Sequence, residues 1–156
     1  MNMQLQLKLQ QLCRFYENLT AHNLPEIGRL YAVDAQFKDP FNDVQGLPAI
    51  EAIFAHMFLT TQNPRFTIVQ SLQEGNHALL VWDFDFEKQG MPKPIRIHGT
   101  SLISFNKEGL VVRHRDYWDS GEELYAKLPW VGGLFRWLAR KFTTPQATLQ
   151  TTALIA

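Results

Sequence analysis

The sequence predicts an α+β domain in which helices come first and an antiparallel sheet follows. Apolar residues recur about every 3.6 positions in the first third of the chain, which is the period of an amphipathic helix. After Asn63-Pro64 the period changes to about 2, and short turns separate the segments, as in strands that pair in sequence order. With 156 residues, of which 46% are hydrophobic and 19% charged, the chain has the size and composition of one folded domain.

Two helices are predicted before the first extended segment. The first covers residues 5–19, because leucine and aromatic residues recur there every three or four positions. Asn23 is expected to cap a short second helix that has Pro25 in its first turn. The residues of this second helix that are expected to face inward are Ile27, Leu30 and Tyr31.

A third helix is predicted after an extended segment and a loop. Residues 34–38 are expected to be extended, because the residue before Pro40 is disfavoured in a helix. Residues 42–46 include Asn, Asp and Gly and are expected to form a loop. Pro48 then opens the third helix, whose apolar stripe is Ile50, Ile53, Phe54, Met57 and Phe58.

Four strands are predicted over residues 65–74, 77–87, 95–105 and 110–118. The first and last pairs are joined by short turns, and a looser connection joins the middle pair. Long sequential strands joined in this way pair as an antiparallel meander. The three helices are therefore expected to pack on one face of a curved four-stranded sheet.

The chain after the sheet predicts more helix and then a tail. Residues 120–123, Ser-Gly-Glu-Glu, form a capping-box pattern that begins a helix ending near residue 128, so the domain is expected to cover residues 1–128. Residues 129–142 predict an amphipathic helix, aromatic and basic, that docks on the same domain or a second copy. The less favoured alternative is that it lies in a membrane interface. Residues 143–156 are expected to be a mobile tail.

Charge, cysteine content and motifs argue against several function classes. Fifteen Lys and Arg residues balance fifteen Asp and Glu residues, so the chain has no net field to attract nucleic acid. Cys13 is the single cysteine and the five histidines lack the spacing of a zinc site, so we expect no metal. There is no glycine-rich phosphate loop, and we expect no cofactor. No apolar run suits a membrane span or a signal peptide, which predicts a cytoplasmic protein.

Two motifs, in this order of elements, resemble the nuclear transport factor 2-like superfamily. They are Asp39-Pro40-Phe41 followed by Gly46, and residues 114–119, His-Arg-Asp-Tyr-Trp-Asp, on the last strand. Within that superfamily the chain is most similar to SnoaL-like proteins, with a more distant similarity to ketosteroid isomerase and limonene-epoxide hydrolase. The resemblance implies a cone, in which a strongly bent sheet wraps round a helix and an apolar pocket opens at one end. It also implies a small apolar ligand and a homodimer formed through the sheet.

Asp116 is the strongest candidate for a catalytic residue. Strand alternation puts His114, Asp116 and Trp118 on one face of the last strand, and burying an unpaired acid costs several kcal/mol, on the order of 2–7. We expect His114 and Asp116 to line the pocket as a proton-transfer pair, with Trp118 shaping the cavity. The alternative is a salt bridge between Asp116 and a neighbouring arginine.

Asp39 is a second candidate, mainly because of the resemblance. In isomerase-like members the aspartate of this Asp-Pro step is the general base that moves a proton beside a carbonyl. The alternative is a turn, since aspartate before proline commonly forms one. The isomerase's oxyanion-hole tyrosine corresponds to Phe15, with Tyr16 one place away, and its second acid falls near Ser101. Neither partner is preserved, which argues against steroid isomerisation by that mechanism.

Asp83 and Asp85 share one face of a predicted strand, and the aromatic residues beside them share the other. If the aromatic residues pack on the helices, both aspartates face solvent or a second copy. The resemblance to limonene-epoxide hydrolase implies the other arrangement, because the spacing from Asp85 to Asp116 matches that between its two catalytic acids. The hydrolase's arginine corresponds to Asp83, its asparagine to Asp39 and its tyrosine to Phe37, so its water-activating set is only partly present.

These observations predict a small-molecule enzyme that performs cofactor-free acid–base chemistry of isomerase, cyclase or hydratase type. Asp116 and His114 would carry the chemistry, with Asp39 and Asp85 as further acids. The residues expected to line the pocket are Trp118, Phe15, Tyr16, Phe37, His98, Phe54 and Phe58. For His98, the position on its strand is equally compatible with the exposed face of the sheet. The alternative is a non-catalytic ligand-binding or interaction module of the same fold, including one held on a membrane surface by residues 130–142.

Overall fold

The structure is a computed structural model that describes residues 3–91, 93–125, 132–134 and 137–138. Its helices are α1 (Met3–Glu17), a 3₁₀ helix (Leu24–Arg29), α2 (Leu47–Thr60) and the one-turn α3 (Ser120–Glu123). Its strands are β1 (Tyr31–Lys38), β2 (Asp43–Gln45), β3 (Gln62–Glu74), β4 (His77–Glu87), β5 (Ile95–Phe105) and β6 (Val111–Tyr117). The α+β prediction is confirmed, and β4 and β5 have the predicted bounds.

The strands form one six-stranded sheet in the order β2-β1-β6-β5-β4-β3. Strands β3 to β6 make the predicted antiparallel meander. The sheet is larger than predicted, because β1 pairs in parallel with β6 and β2 pairs antiparallel with β1. Helix α1 packs against β3, and α2 packs against β1 and the 3₁₀ helix. Both helices therefore cover the same side of the sheet.

The prediction that Tyr31 belongs to the second helix is wrong. That helix is a 3₁₀ helix ending at Arg29, and Tyr31 begins β1 with Val111 of β6 as its parallel partner. Pairing with a strand about 80 positions away along the chain overrides the local helical pattern, as tertiary contacts commonly do. The extended segment consequently starts three residues earlier than the predicted residue 34.

The two predicted helix caps also differ from the structure. The Asn23 side chain does not cap the 3₁₀ helix but accepts the Thr20 backbone N–H at 2.7 Å, closing the turn before it. Asp119, not Ser120, caps α3, because its Oδ1 accepts the N–H groups of Gly121 and Glu122 at 2.8 and 3.1 Å. In both places a side-chain oxygen, of an amide or of a carboxylate, accepts from the nearest free backbone N–H groups, and the predicted cap does not form.

Two further predictions concern the loop before α2 and the end of the chain. Residues 42–46 are not all loop, because Asp43–Gln45 forms β2 against the end of β1. Helix α3 ends at Glu123, and the remainder of its predicted range beyond residue 125 lies outside the described residues. The predicted helix over 129–142 and tail over 143–156 also lie outside them, except for residues 132–134 and 137–138, which are helical.

The core lies between the helices and the inner face of the sheet. On β4 every second residue is buried, in the order Ala78, Leu80, Trp82, Phe84 and Phe86. Helix α1 contributes Leu5, Leu9, Leu12 and Tyr16 from one face. The predicted parity of β4 is thus correct, and its aromatic residues pack inward.

Trp82 crosses β5 at Gly99, its partner in the β4–β5 register. A Cβ atom on residue 99 would lie 2.5 Å from Cη2 and 2.6 Å from Cζ2 of the indole, which is closer than such atoms approach. The missing side chain lets the indole lie across the strand, where its Nε1–H donates to Ser101 Oγ at 2.8 Å. Gly99 therefore positions a tryptophan that lines the cavity described below.

Among the described residues, none covers the leucines on the outer face of the sheet. Leu72, Leu79 and Leu102 are register partners on β3, β4 and β5, and their exposed fractions are 54%, 36% and 40%. We call these three residues the leucine strip. Among the described residues, no helix has the length and apolar character needed to cross a membrane.

We predict that Gly99→Ala destabilises the fold by about 1–3 kcal/mol, the usual cost of overpacking a core. The reason is the collision between the new methyl group and the Trp82 indole. Chemical denaturation of the wild type, Gly99→Ala, Trp82→Phe and the double variant measures the change in the free energy of unfolding. Phenylalanine lacks the outer indole ring, so the double variant should be more stable than the sum of the single losses predicts. Additive losses would contradict this account.

Candidate functional site

A cavity of about 500 Å³ opens between α2 and the inner face of the sheet. Most of the residues that line it are apolar, and the largest group among them is aromatic: Phe37, Phe41, Phe54, Phe66, Trp82, Phe84, Phe86 and Trp118. The polar residues that line it are Asp39, Asn42, His56, Thr60, Thr61, Lys88 and Asp116. A space of this size and character suits a small, largely apolar molecule.

The cavity continues inward into a space of about 20 Å³, which holds about one water molecule. Phe54, Phe66, Trp82 and Asp116 line both spaces. Tyr16, Ser101 and His114 line only the inner one. We call the inner space the deep end of the cavity. Asp116 stands at the boundary, and its side chain is 16% exposed.

The register of three strands brings the polar residues of the deep end together. Ser101 of β5 is the partner of Asp116 on β6, and Phe37 of β1 is the partner of His114. The Phe37 ring packs edge-on against the His114 ring, with centroids 4.9 Å apart. His114 is held between β1 and β5, and its side chain is only 4% exposed.

Asp116 Oδ1 accepts two hydrogen bonds. The Ser101 hydroxyl donates to it at 2.5 Å, and His114 Nε2 lies 2.7 Å from it. The Ser101 oxygen is itself the acceptor for the Trp82 indole N–H. The predicted His114–Asp116 pair is therefore present, and Asp116 has no arginine partner among the described residues.

Two buried tyrosine hydroxyls complete the network on the other side of His114. The Tyr31 hydroxyl is hydrogen-bonded to His114 Nδ1, and the Tyr16 hydroxyl lies 2.5 Å from that of Tyr31 and 3.3 Å from Nδ1. Burial raises the pKa of Tyr16 well above its ordinary value, with the neighbouring Tyr31 adding to the effect. Burial likewise raises the pKa of Tyr31. Both hydroxyls therefore keep their protons at neutral pH.

A proton on Nε2 of His114 satisfies every donor in this network. His114 then donates to Asp116 Oδ1, and the bare Nδ1 accepts from a tyrosine hydroxyl. The two tyrosine hydroxyls share one further hydrogen bond, in which either is the donor. If Nδ1 carried a proton, one tyrosine proton would lose its acceptor. We therefore assign the Nε2-protonated tautomer to His114.

Asp116 Oδ2 is left available to the cavity. Both hydrogen bonds of the carboxylate go to Oδ1. Among the described residues, the one buried side-chain polar atom without a partner is Gln73 Oε1, so Oδ2 is accessible rather than sealed in the core. An ionised oxygen that borders an apolar cavity and is held by its partner oxygen is suited to accept a proton.

Asp39 lines the cavity but its carboxylate is occupied by the turn it forms. Its Oδ1 accepts the backbone N–H groups of Phe41 and Asn42 at 2.7 and 2.6 Å. The Asn42 amide also donates to both oxygens, at 3.0 and 2.9 Å. The geometry corresponds to the turn interpretation of the Asp-Pro step, and it does not bring Asp39 into the network of Asp116.

Asp85 and His98 lie on the outer face and do not reach the cavity, so of the two arrangements that the sequence left open for each, the outward one is correct and their place among the candidate site residues is not. Asp85 is held by Arg96, whose Nε and Nη2 donate at 2.7 and 2.8 Å, and this pairing lowers the pKa of Asp85. His98 Nδ1 lies 2.7 Å from Asp83 Oδ1. The physical reason is parity, because the aromatic residues of β4 occupy the inner face and force the aspartates outward.

The other predicted pocket residues divide in two groups. Phe37, Phe54 and Trp118 line the cavity, and Tyr16 lines its deep end. Phe15 and Phe58 are half-buried and do not line it. Phe15 packs edge-on against the Tyr16 ring at 5.7 Å, so the tyrosine one place further along the helix, rather than Phe15, points to the site.

Sequence reasoning missed Tyr31, and assigned Ser101 and Trp82 no role in the site. Ser101 and Trp82 could have been found from strand parity, since each shares the inner face with buried neighbours. Tyr31 carried no such signal, because its placement depends on the parallel pairing of β1 with β6. Among the described residues, no group of three or more His, Cys, Asp and Glu side chains is placed to hold a metal ion.

The fold and this site can now be compared with known proteins. The family model of the SnoaL-like domain matches residues 12–114, which is more than half of the chain. The chain belongs to the SnoaL-like family. The match ends two residues before Asp116, so the carboxylate at the site lies outside the matched range. No curated protein matches the sequence.

Solved structures share the fold at low sequence identity. A hypothetical protein of Catenulispora acidiphila with a ketosteroid isomerase-like fold, in complex with trimethylamine, is 18% identical with a TM-score of 0.66, over 77% of this chain and 90% of that one. An NTF2-like protein of unknown function from Burkholderia pseudomallei is 15% identical with a TM-score of 0.65, over 74% and 92%. A proposed SnoaL-like polyketide cyclase of Shewanella putrefaciens is 14% identical with a TM-score of 0.66, over 81% and 97%. These likenesses confirm the nuclear transport factor 2-like cone.

We predict that Tyr31→Phe releases His114 from its single tautomer. The variant loses the hydroxyl that donates to Nδ1, so the Nδ1-protonated and doubly protonated forms of His114 become populated. Nitrogen-15 NMR of the imidazole distinguishes these forms across a pH titration. Tyr117→Phe on the outer face is the matched control and should leave the His114 signals unchanged. Identical His114 spectra in the wild type and Tyr31→Phe would contradict the proton assignment.

Proposed function

We propose that this SnoaL-like protein is a small-molecule enzyme that moves a proton without a cofactor, with Asp116 as the general base. The observation that carries the proposal is the accessible Oδ2 of a carboxylate whose Oδ1 is fixed by Ser101 and His114. A base must be held in one orientation and yet be open to the substrate, and this arrangement provides both. The reaction is of isomerase, cyclase or hydratase type.

His114 acts through Asp116 and does not line the outer cavity. As a neutral donor it stabilises the ionised carboxylate without adding a full positive charge beside it, which would weaken the carboxylate as a base. The tyrosine pair keeps the histidine in that state, because Nδ1 is already occupied by the Tyr31 hydroxyl. His114 is thus a positioning residue in this proposal.

The substrate class is inferred from the residues that line the larger cavity. Most of these residues are apolar, and the largest group among them is aromatic, so most of a bound molecule would contact apolar surface. A volume of about 500 Å³ has room for two or three fused rings. Asp39 and Asp85 have no catalytic part, because the first is engaged in its turn and the second pairs with Arg96 on the opposite face.

We predict that the protein incorporates solvent deuterium into carbon positions of its substrate. The test incubates it in D₂O with one- to three-ring enones, hydroxyketones and epoxides, and reads C–D bonds by mass spectrometry. Asp116→Asn should lower the rate about 100-fold or more, the usual scale for losing a general base. Asp85→Asn, an outer-face carboxylate, is the matched control and should retain the rate.

Two results would contradict the proposal. A folded Asp116→Asn variant that exchanges deuterium at the wild-type rate would remove Asp116 as the base. Compounds that bind in the cavity without any deuterium incorporation across the panel would favour the alternative, a non-catalytic binding module of the same fold.

A homodimer formed through the sheet stays a prediction, and the leucine strip is the surface it would bury. Leu79→Lys places a charge in the centre of that strip and should shift the protein from dimer to monomer in analytical ultracentrifugation, because burying an unpaired charge is costly. Leu59→Lys is the control, since Leu59 is exposed on α2. A wild-type protein that is monomeric at all concentrations tested would contradict the prediction.

A further inference from the structure

In the part of the chain that the structure describes, every side-chain donor at the deep end of the cavity is already used within the protein. The Trp82 indole N–H donates to Ser101, whose hydroxyl donates to Asp116 Oδ1. His114 Nε2–H also donates to Oδ1, and the Tyr31 and Tyr16 hydroxyls donate within the chain that ends at His114 Nδ1. The polar atom that remains for a ligand there is an acceptor, Asp116 Oδ2.

This pattern decides which functional groups the deep end accepts. A ketone oxygen brought to the deep end meets a carboxylate oxygen, and the side-chain donors of the described residues there are all engaged within the protein, so its lone pairs lose their water without a replacement. A hydroxyl or a protonated amine finds an ionised acceptor in a surrounding of low polarity, where such a hydrogen bond is strong.

We infer that the natural ligand enters the cavity with a hydrogen-bond donor group, a hydroxyl or an ammonium, at its inner end and presents it to Asp116 Oδ2. The inference rests on the proposed function and narrows its substrate class. The proton that Asp116 removes then comes from oxygen or nitrogen: the ligand's O–H or N–H bond breaks and the carboxyl O–H bond forms. The electron pair left on that atom forms a bond to an electrophilic carbon of the ligand, and the carbon next to it takes up a proton from the carboxyl group or from solvent. A carbonyl held at the deep end for removal of the neighbouring C–H proton is the arrangement this site disfavours.

The rest of the cavity lining is consistent with this polarity. Lys88 and His56 line the larger space but not the deep end, and both are exposed. Trp118 also lines the larger space, and no hydrogen bond or ion pair engages these three side chains among the described residues. The free donors therefore lie in the larger space and the acceptor at the deep end, so a ligand carrying both a hydroxyl and a carbonyl is oriented with the hydroxyl inward.

Asp116→Asn should reverse this preference without removing the site. In the variant, Ser101 and His114 still donate to the atom at the Oδ1 position, and this holds the amide oxygen there. The amide nitrogen then occupies the Oδ2 position and offers N–H donors to the cavity. A carbonyl is satisfied by this arrangement, while a ligand hydroxyl loses its charged acceptor.

The experiment uses probes that share a carbon skeleton and differ in one group: fluorenol, fluorenylamine and fluorenone, with indanol and indanone as a smaller pair. Isothermal calorimetry on the full chain measures the affinity of each. The wild type should bind each alcohol roughly 10- to 100-fold more tightly than its ketone, the scale of a hydrogen bond to a charged group. The alcohol and the amine arms then show which donor the site prefers. In Asp116→Asn the order should reverse, with the ketone favoured roughly 2- to 10-fold.

Two further variants keep the test decisive. Asp39→Asn changes a carboxylate of the same cavity that is engaged in its turn, so it should keep the wild-type order. Ser101→Ala leaves the Trp82 N–H without its acceptor and so adds a donor at the deep end. Ser101→Ala should therefore bind the ketones more tightly than the wild type does, and the ratio of alcohol affinity to ketone affinity should fall. This measurement tests the inference even if Asp116→Asn does not fold.

The outcomes separate this inference from the proposed function. Equal or tighter binding of the ketones by the wild type would overturn the inference while leaving a ligand-binding cavity in place. An alcohol preference that persists in a folded Asp116→Asn variant would also overturn it, because the acceptor would be another group. No binding of any probe, of either size, would overturn the proposed function together with the inference.

Discussion

The hydrogen bond from His114 Nε2–H to Asp116 Oδ1 is the contact on which the polar interior depends. It joins two residues of one strand, so β6 alone supplies both the carboxylate and the group that holds it. It also determines the histidine tautomer, and thereby leaves Nδ1 as the acceptor for the tyrosine pair. A buried network of this kind stabilises a protein only when each member is satisfied, and the Nε2-protonated histidine meets that condition. The side-chain donors of the deep end are thus occupied within the protein.

The sheet provides the geometry for this contact. Ser101 reaches Asp116 because β5 and β6 pair in a register that makes the two residues partners. Trp82 reaches Ser101 because Gly99 leaves space for the indole over the neighbouring strand. Each step uses a backbone pairing to bring one side chain within reach of the next. The site is therefore a property of strand register as much as of the residues it contains.

Much of this could be predicted from the sequence, and the failures have a common cause. Strand alternation placed His114 and Asp116 on one face, and the same rule placed Asp85 outside. The resemblance to limonene-epoxide hydrolase drew Asp85 inward only because it matched spacing along the chain and not the face of the strand. Tyr31 could not be placed, since local periodicity describes neighbours within a turn or two and is silent about a parallel partner far along the sequence. The turn at Asp39 was open to either interpretation until its hydrogen-bond partners were known.

The parallel pairing of β1 with β6 has a consequence for how the protein folds. Tyr31 and Val111 are partners, so the strand that carries one side of the network waits for a strand that the ribosome makes about 80 residues later. Pairings between distant segments form slowly, because a long loop must close, at a cost in chain entropy, before the paired strands make any stabilising contact. Until β6 docks, the tyrosine pair lacks its His114 partner and the inner face of the sheet has an open gap beside β5. The interior of the cavity is thus completed in the last steps of folding, and a nascent chain that ends before β6 has neither the carboxylate nor the wall behind it.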